Sequence, residues 1–114
     1  MSWLVSLEFR AANVRRALRR LGQEGLTEIL VEGGGRLAAG LLRRSLVDEL
    51  HWFAAPLLIG EEGRAAIGAL DVRALAAAPR LAGVALRRLG DDAYWIGRLA
   101  PAVSRRSRAR VAAR

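Results

Sequence analysis

The feature that most constrains the fold is a short aliphatic run that passes through three glycines into an amphipathic segment. Ile29-Leu30-Val31 is followed by Glu32 and then by Gly33-Gly34-Gly35. Three large aliphatic residues between turn signals are typical of a central strand covered on both faces. Residues 36–44 then repeat their apolar side chains at helical spacing. The pattern predicts a strand, a tight glycine connection and a helix, the local unit of an α/β protein.

Alternating and helical patterns extend this unit on both sides. Strands are predicted over residues 3–9, 27–32, 47–56, 84–89 and 93–99, and helices over residues 14–21, 36–44 and 71–78. Asn13 is the expected cap of the first helix, Gly22 and Gly25 lie at its end, and Asp71 is the expected cap of the third. Because strands and helices alternate and the chain closes with a β-hairpin, we expect a mixed sheet with helices packed on it.

The composition removes several classes of catalytic site. The 114 residues include no cysteine and no lysine, and His51 is the only histidine. Thiolate metal sites, cysteine nucleophiles, a Walker A loop and lysine Schiff bases are therefore excluded, and a multi-histidine metal site is disfavoured. No apolar run reaches the ~20 residues of a membrane span, and the first ten residues show no signal peptide, so we expect a cytoplasmic protein.

Positive charge is concentrated at the carboxyl terminus. The net charge is +8, and residues 101–114 contribute five arginines and no acidic residue. We therefore predict one domain over residues 1–100 and an arginine-rich disordered tail over residues 101–114. Because no aromatic residues are interleaved with these arginines, we expect no specific nucleic-acid partner.

The glycine connection and the glutamate before it are the main candidates for binding chemistry. A helix start offers unpaired N–H groups and the positive end of a dipole, which favour phosphate. Gly33, Gly35 and Ala38 fit G-x-G-x-x-[G/A], but the next strand ends in Ala54-Ala55-Pro56 without the acidic residue of a standard Rossmann site. Two interpretations stay open for the glycines, a diphosphate site or a tight turn. Two also stay open for Glu32, a ligand contact or a cap on the helix amides.

Four other positions carry groups that can act chemically. His51 has no second metal ligand nearby in sequence, so a packed histidine is the simpler interpretation. Asp48-Glu49 is either an acid pair or a solvated segment before the strand. Arg36, in the first turn after the glycines, is placed to contact phosphate, and Arg64 is a weaker candidate.

Three ordered motifs resemble the reductase domain of bacterial riboflavin-biosynthesis deaminase/reductase proteins. They are LVEGGGRLA at residues 30–38, LVDEL at 46–50 and APLLIG at 55–60, and LRRLGDD at 86–92 resembles the C-terminal hairpin of that domain. The resemblance covers residues 14–99 and implies a dihydrofolate-reductase-like α/β fold with a mixed sheet and flanking helices. It corresponds to the C-terminal portion of the domain, so we expect an incomplete domain that another chain completes.

The resemblance also implies an activity and a set of site residues. The reaction is the NADPH-dependent reduction of 5-amino-6-(5-phosphoribosylamino)uracil to the ribitylamino product, with hydride passing to C1′ of the sugar. Glu32 corresponds to a substrate-binding glutamate, and the NADP-binding residues correspond to Gly34, Gly35, Arg36, Leu37, Ala38, Ala39 and Gly40. Gly35-Arg36 stand where many relatives have a small residue or proline followed by threonine, so Arg36 offers a charge in place of a hydroxyl. No metal is implied, and no catalytic residue is assigned.

An alternative interpretation is a truncated, non-catalytic remnant that at most binds nucleotide or associates with itself. Family resemblance and an unfinished sheet both predict a homo-oligomer, most simply a dimer.

Overall fold

The computed structural model describes residues 13–32, 34–100 and 110–113. Its helices are α1 (Val14–Gln23) and α2 (Gly35–Arg43), and its strands are β1 (Glu28–Val31), β2 (Glu49–Ala54), β3 (Leu81–Leu89), β4 (Asp92–Leu99) and β5 (Arg110–Ala113). The predicted strand at residues 3–9 lies outside the described residues. The remaining order confirms the predicted α/β class and the hairpin, which is formed by β3 and β4 and is followed by β5.

The five strands form one mixed sheet in the order β1-β5-β2-β4-β3. Strands β1, β5 and β2 are parallel, whereas β4 runs antiparallel to both β2 and β3. Helix α2 connects β1 to β2, as expected for parallel strands that need a crossover. The carboxyl ends of the three parallel strands therefore lie at one edge of the sheet, which is also where α2 begins.

The core lies between the two helices and one face of the sheet. Its buried members are Val14, Leu41, Leu42, Leu46 and Val47. Partly buried side chains from both helices and three strands pack against this cluster, among them Leu18, Leu37, Val31, Leu50 and Leu99. Since Val31 and Leu50 share a face of the sheet through their register with β5, both helices cover that same face.

Strand β1 is covered on only one side by the described residues. Its side chains alternate between exposed and half-buried positions, and Leu30 is 55% exposed. The prediction of a strand covered on both faces is therefore wrong for this part of the chain. The prediction treated all three aliphatic residues as buried, whereas only Ile29 and Val31 point toward the helices.

Both helices end in the same hydrogen-bonded motif. The N–H of Ser45 donates to the carbonyl of Leu42, and the N–H of Leu46 donates to that of Leu41, both at 3.0 Å. This is a Schellman motif, in which the residue after the cap adopts a left-handed conformation. Gly25 fills that position after α1 with φ +89°, whereas Ser45 fills it after α2 with φ +53°.

The predicted helix over residues 71–78 is wrong. Only the 3-10 turn Leu75–Ala77 forms there, with no buried residue. Asp71 has φ +55° and so does not act as a helix cap, and Leu75 is 85% exposed. A segment this short, ended by Pro79, has too little apolar contact to offset the cost of nucleating a helix.

The carboxyl-terminal segment is not wholly without structure. Arg110–Ala113 forms β5, inserted between β1 and β2. Disorder is therefore wrong for these four residues, and residues 101–109 and 114 lie outside the described chain. The arginine content dominated the prediction, whereas the short Val-Ala-Ala run is compatible with a parallel strand between two neighbours.

Candidate functional site

The candidate site lies at the edge of the sheet where the parallel strands end. Glu32 follows β1 directly, β2 ends at Ala54, and α2 begins at Gly35. In open α/β sheets, ligands bind outside the carboxyl ends of parallel strands. The topology therefore brings the predicted substrate glutamate and the predicted cofactor loop to one edge.

Gly34 is required by its backbone conformation. It precedes α2 with φ +87° and ψ 100°, a region that side chains with a Cβ rarely adopt. A Cβ added there would meet only the Cβ of Leu37, at an ordinary 3.8 Å. The constraint is therefore the turn itself and not a lack of space.

Gly35 is required by close packing. A Cβ at this position would lie 2.6 Å from the carbonyl oxygen of Ala65 and 3.2 Å from that of Ala66. The N–H of Gly68 donates to the carbonyl of Gly35 at 2.9 Å. Residues 65–68 are thus docked against one side of the first turn of α2. The tight-turn interpretation accounts for Gly34 and Gly35, and Gly33 lies outside the described residues.

The other side of the first turn of α2 is open to solvent. Gly34 and Arg36 are exposed, and Gly35 is half-buried. The N-cap residue of the helix, Gly34, has no side chain with which to cap it, and no acidic residue lies in the first turn. The first N–H groups of a helix have no partner within the helix, so an anion approaching from this side meets the positive end of the helix dipole and the guanidinium of Arg36. These features fit the diphosphate of a nucleotide cofactor.

The remaining predicted cofactor residues lie deeper in α2. Ala39 is 1% exposed and Gly40 is also buried, and Leu37 packs against the core. These three positions hold the helix on the sheet and face away from solvent. Ala38 lines a cavity of about 220 Å³ between α2, residues 66–67 and residues 50–53 of β2.

A larger cavity of about 390 Å³ lies at the opposite end of α2. Its charged or polar lining includes Arg43, Ser45, Asp71 and Arg80. Arg43 is held there by a hydrogen bond from its Nη1 to the carbonyl of Ala69. This cavity is at the amino-terminal end of β2, away from the glycine connection, so size alone does not locate the candidate site.

A polar chain links β2 to β4. The Nε2 of His51 lies 2.7 Å from the Oε1 of Glu49, and its Nδ1 lies 2.6 Å from the hydroxyl of Tyr94. The Tyr94 ring stacks on Phe53 with centroids 4.4 Å apart. The histidine is thus a hydrogen-bonded, half-buried residue, in line with the simpler interpretation of His51.

The sequence predicts only part of this hydrogen-bonded arrangement of Glu49, His51 and Tyr94. Glu49 and His51 are two residues apart in a strand, which places them on one face. Their partner Tyr94 is 43 residues from His51 and is brought there by the register that pairs it with Phe53. Arg64 is exposed and does not belong to the Glu49–His51–Tyr94 cluster.

Among the described residues, no group of three or more histidine or acidic side chains is arranged to hold a metal ion. No helix among them is long and apolar enough to cross a membrane.

Comparison with known proteins gives consistent results. The family model described as the RibD C-terminal domain matches residues 3–94. The riboflavin biosynthesis protein RibD of Escherichia coli strain K12 is 36% identical over 75 residues, which is 66% of this chain and 20% of that protein. The RibD of Corynebacterium ammoniagenes is 46% identical over 50 residues, 44% of this chain and 15% of that protein.

A solved structure supports the same assignment. Acinetobacter baumannii RibD superposes with a TM-score of 0.72 and 25% identity, over 85% of this chain and 27% of that chain. The match confirms the predicted reductase-domain fold, and the chain spans about a fifth of the length of the E. coli relative. Since the family model covers most of the residues, the chain belongs to the RibD C-terminal domain family.

Proposed function

We propose that this chain is part of an NADPH-dependent reductase of riboflavin biosynthesis, working in the cytoplasm on 5-amino-6-(5-phosphoribosylamino)uracil. Family membership supports the reaction class. The observation that carries the proposal is the solvent-exposed start of α2, with Gly34 as its N-cap, at the carboxyl edge of the parallel strands and just after Glu32. Phosphate and substrate groups then have partners at one edge of the sheet.

The cofactor would be held by the first turn of α2. The amides of Gly35 and Arg36 and the guanidinium of Arg36 are the groups for its phosphates, reached from the exposed side. When bound, NADPH supplies the hydride. Residues 65–68 back the turn from the other side and keep the amides in place, so the loop needs little rearrangement on binding.

Glu32 would orient the substrate. An ionised carboxylate accepts hydrogen bonds, and the aminopyrimidine and its ribosyl group both offer N–H or O–H donors. The protein's contribution is to place the sugar carbon against the nicotinamide, which converts an encounter of two molecules into a reaction within one complex.

A second candidate, a nucleotide-binding module without turnover, is favoured by one observation. Leu57, Leu58 and Ile59 follow β2 at the same edge and are 61%, 102% and 67% exposed. Contiguous exposed aliphatic side chains mark an interaction surface, and on this alternative that surface pairs the chain with itself.

The test separates cofactor binding from turnover. NADPH affinity is measured by fluorescence titration, and substrate-dependent NADPH oxidation is followed by absorbance. We expect saturable binding that Arg36→Gln weakens about tenfold or more, since a charge-assisted contact contributes roughly 1.5–3 kcal/mol. Arg64→Gln, which removes another exposed arginine, should bind as the parent does.

The outcomes are distinct. Binding together with turnover that Glu32→Gln abolishes supports the reductase. Binding without turnover favours the second candidate. Absence of saturable binding at millimolar NADPH rejects both.

A further inference from the structure

The Glu49–His51–Tyr94 chain has a direction that follows from the chemistry of its members. An ionised carboxylate only accepts hydrogen bonds, so the Nε2 of His51 must carry the hydrogen in its 2.7 Å contact with Glu49. In a neutral imidazole the other nitrogen is then an acceptor. With the imidazole neutral, the Nδ1 of His51 therefore accepts from the hydroxyl of Tyr94, 2.6 Å away.

The direction of these hydrogen bonds determines whether the hydroxyl of Tyr94 can donate to a further group or only accept from it. Because the hydroxyl of Tyr94 donates its hydrogen to His51, its oxygen can only accept further hydrogen bonds. A second group approaching this oxygen must bring an N–H or O–H. The three side chains together thus convert a hydroxyl that normally donates or accepts into one that accepts.

The chain lies in an aromatic stack. The Tyr94 ring is parallel to that of Phe53 within 10° and to the imidazole of His51 within 21°. Tyr94 and His51 are half-buried and Phe53 is 41% exposed, so part of the stack is open to solvent. Ordered rings of this kind favour flat heterocycles as neighbours.

The stack lies on the same face of the sheet as Leu30, which is two residues before Glu32. Leu30 of β1 and Glu49 of β2 both align with Ala112 of β5, so these two positions share a face and a level. His51 is two residues beyond Glu49 in β2, and Glu32, directly after the end of β1, is two residues beyond Leu30. Tyr94 is on the neighbouring strand β4, three strand spacings or about 14 Å from the line of β1.

We infer that Tyr94, oriented by His51 and Glu49, is a specificity-determining acceptor for a donor-bearing flat heterocycle of the aminopyrimidine class. The inference rests on the proposed function, whose substrate carries such a ring. Glu49 and His51 act as positioning residues through Tyr94. Arg98 and Arg87 stand opposite Glu49 and Tyr94 in the sheet register, so the surroundings of the stack include cationic groups that suit the carbonyl oxygens of such a ring.

The hydrogen-bond direction is tested by nitrogen NMR. His51 is the only histidine, so its imidazole signals need no assignment by mutation. At about pH 8.5, where an ordinary imidazole is neutral, we expect Nε2 to be protonated and Nδ1 to have the shift of an unprotonated acceptor. Tyr94→Phe should move the Nδ1 signal and leave Nε2 protonated. A proton on Nδ1 in the parent protein overturns the inference.

Ligand selectivity is tested with two probes. The parent protein should bind 5,6-diaminouracil with shifts at His51 and Tyr94, and it should not bind 1,3-dimethyluracil, which lacks N–H donors. Tyr94→Phe, which keeps the stacked ring, should weaken the first probe about tenfold, as expected for one lost hydrogen bond. Trp95→Phe trims an aromatic side chain on the opposite face and should leave the affinity unchanged.

Three other results of the probe experiment would contradict the role of Tyr94. No binding of 5,6-diaminouracil, equal binding of both probes, or equal affinity of the parent and Tyr94→Phe overturns the inference. The proposed function is judged separately by NADPH shifts at Gly34–Arg36, so its failure and the failure of the Tyr94 inference are distinguishable.

Discussion

Substitution of Gly35 by alanine tests whether residues 65–68 are docked against α2. The new Cβ would start 2.6 Å from the carbonyl oxygen of Ala65, whereas ordinary contacts begin at 3.4 Å. The two backbones would have to separate by about 0.8 Å, and the hydrogen bond from Gly68 to Gly35 would lengthen with them. Neither partner is a flexible side chain that can turn aside.

The expected cost follows from two opposing effects. Overpacking of this kind costs about 1–3 kcal/mol, while alanine gains up to about 1 kcal/mol over glycine in a helix. With the full helix gain subtracted, we therefore expect Gly35→Ala to lower the free energy of unfolding by up to about 2 kcal/mol in urea denaturation. That is a substantial share of the roughly 5–15 kcal/mol typical of a domain.

Gly22→Ala is the matched control. Gly22 lies within α1, is exposed, and a Cβ there would meet nothing within 4 Å. It should raise the free energy of unfolding by about 0.5–1 kcal/mol, since only the helix preference changes. If Gly35→Ala stabilises the protein as Gly22→Ala does, the docking of residues 65–68 on α2 is refuted.

Three further predictions concern stability and assembly. Ser45→Gly should raise the free energy of unfolding by about 0.5–1 kcal/mol in urea, because the left-handed position after α2 suits glycine better; a loss would contradict the Schellman assignment. Leu41→Ala, at a side chain 1% exposed, should cost about 2–5 kcal/mol, whereas Leu58→Ala at 102% exposure should change the same free energy by less than about 0.5 kcal/mol; equal effects would refute the core. Light scattering after gel filtration should give the mass of a dimer, because β3 is a nine-residue edge strand with exposed aliphatic side chains; a monomer mass at high concentration would count against this.

Local patterns predicted the part of the fold that depends on neighbouring residues. The β1–α2–β2 unit and the β3–β4 hairpin follow from aliphatic runs, helical spacing and the glycines between them. The segment at residues 71–78 failed because an alanine-rich stretch with an apparent cap has the composition of a helix without contacts to stabilise it.

The pairing of strands that are far apart in the chain could not be predicted from the sequence alone. The insertion of β5 between β1 and β2 depends on residues about 80 positions apart in the chain meeting in register. The contact between His51 and Tyr94 depends in the same way on the pairing of β2 with β4. Glycine roles were partly accessible: the turn at Gly34 follows from sequence, whereas the need for space at Gly35 depends on where residues 65–68 return.

We propose that the exposed first turn of α2 binds the phosphates of NADPH. Amide NMR of the labelled protein during an NADPH titration tests it most directly. If NADPH binds there, the amides of Gly34, Gly35 and Arg36 should show saturable shifts with one common affinity. Shifts confined to residues around Arg43 and Arg80, or none at millimolar cofactor, would contradict it.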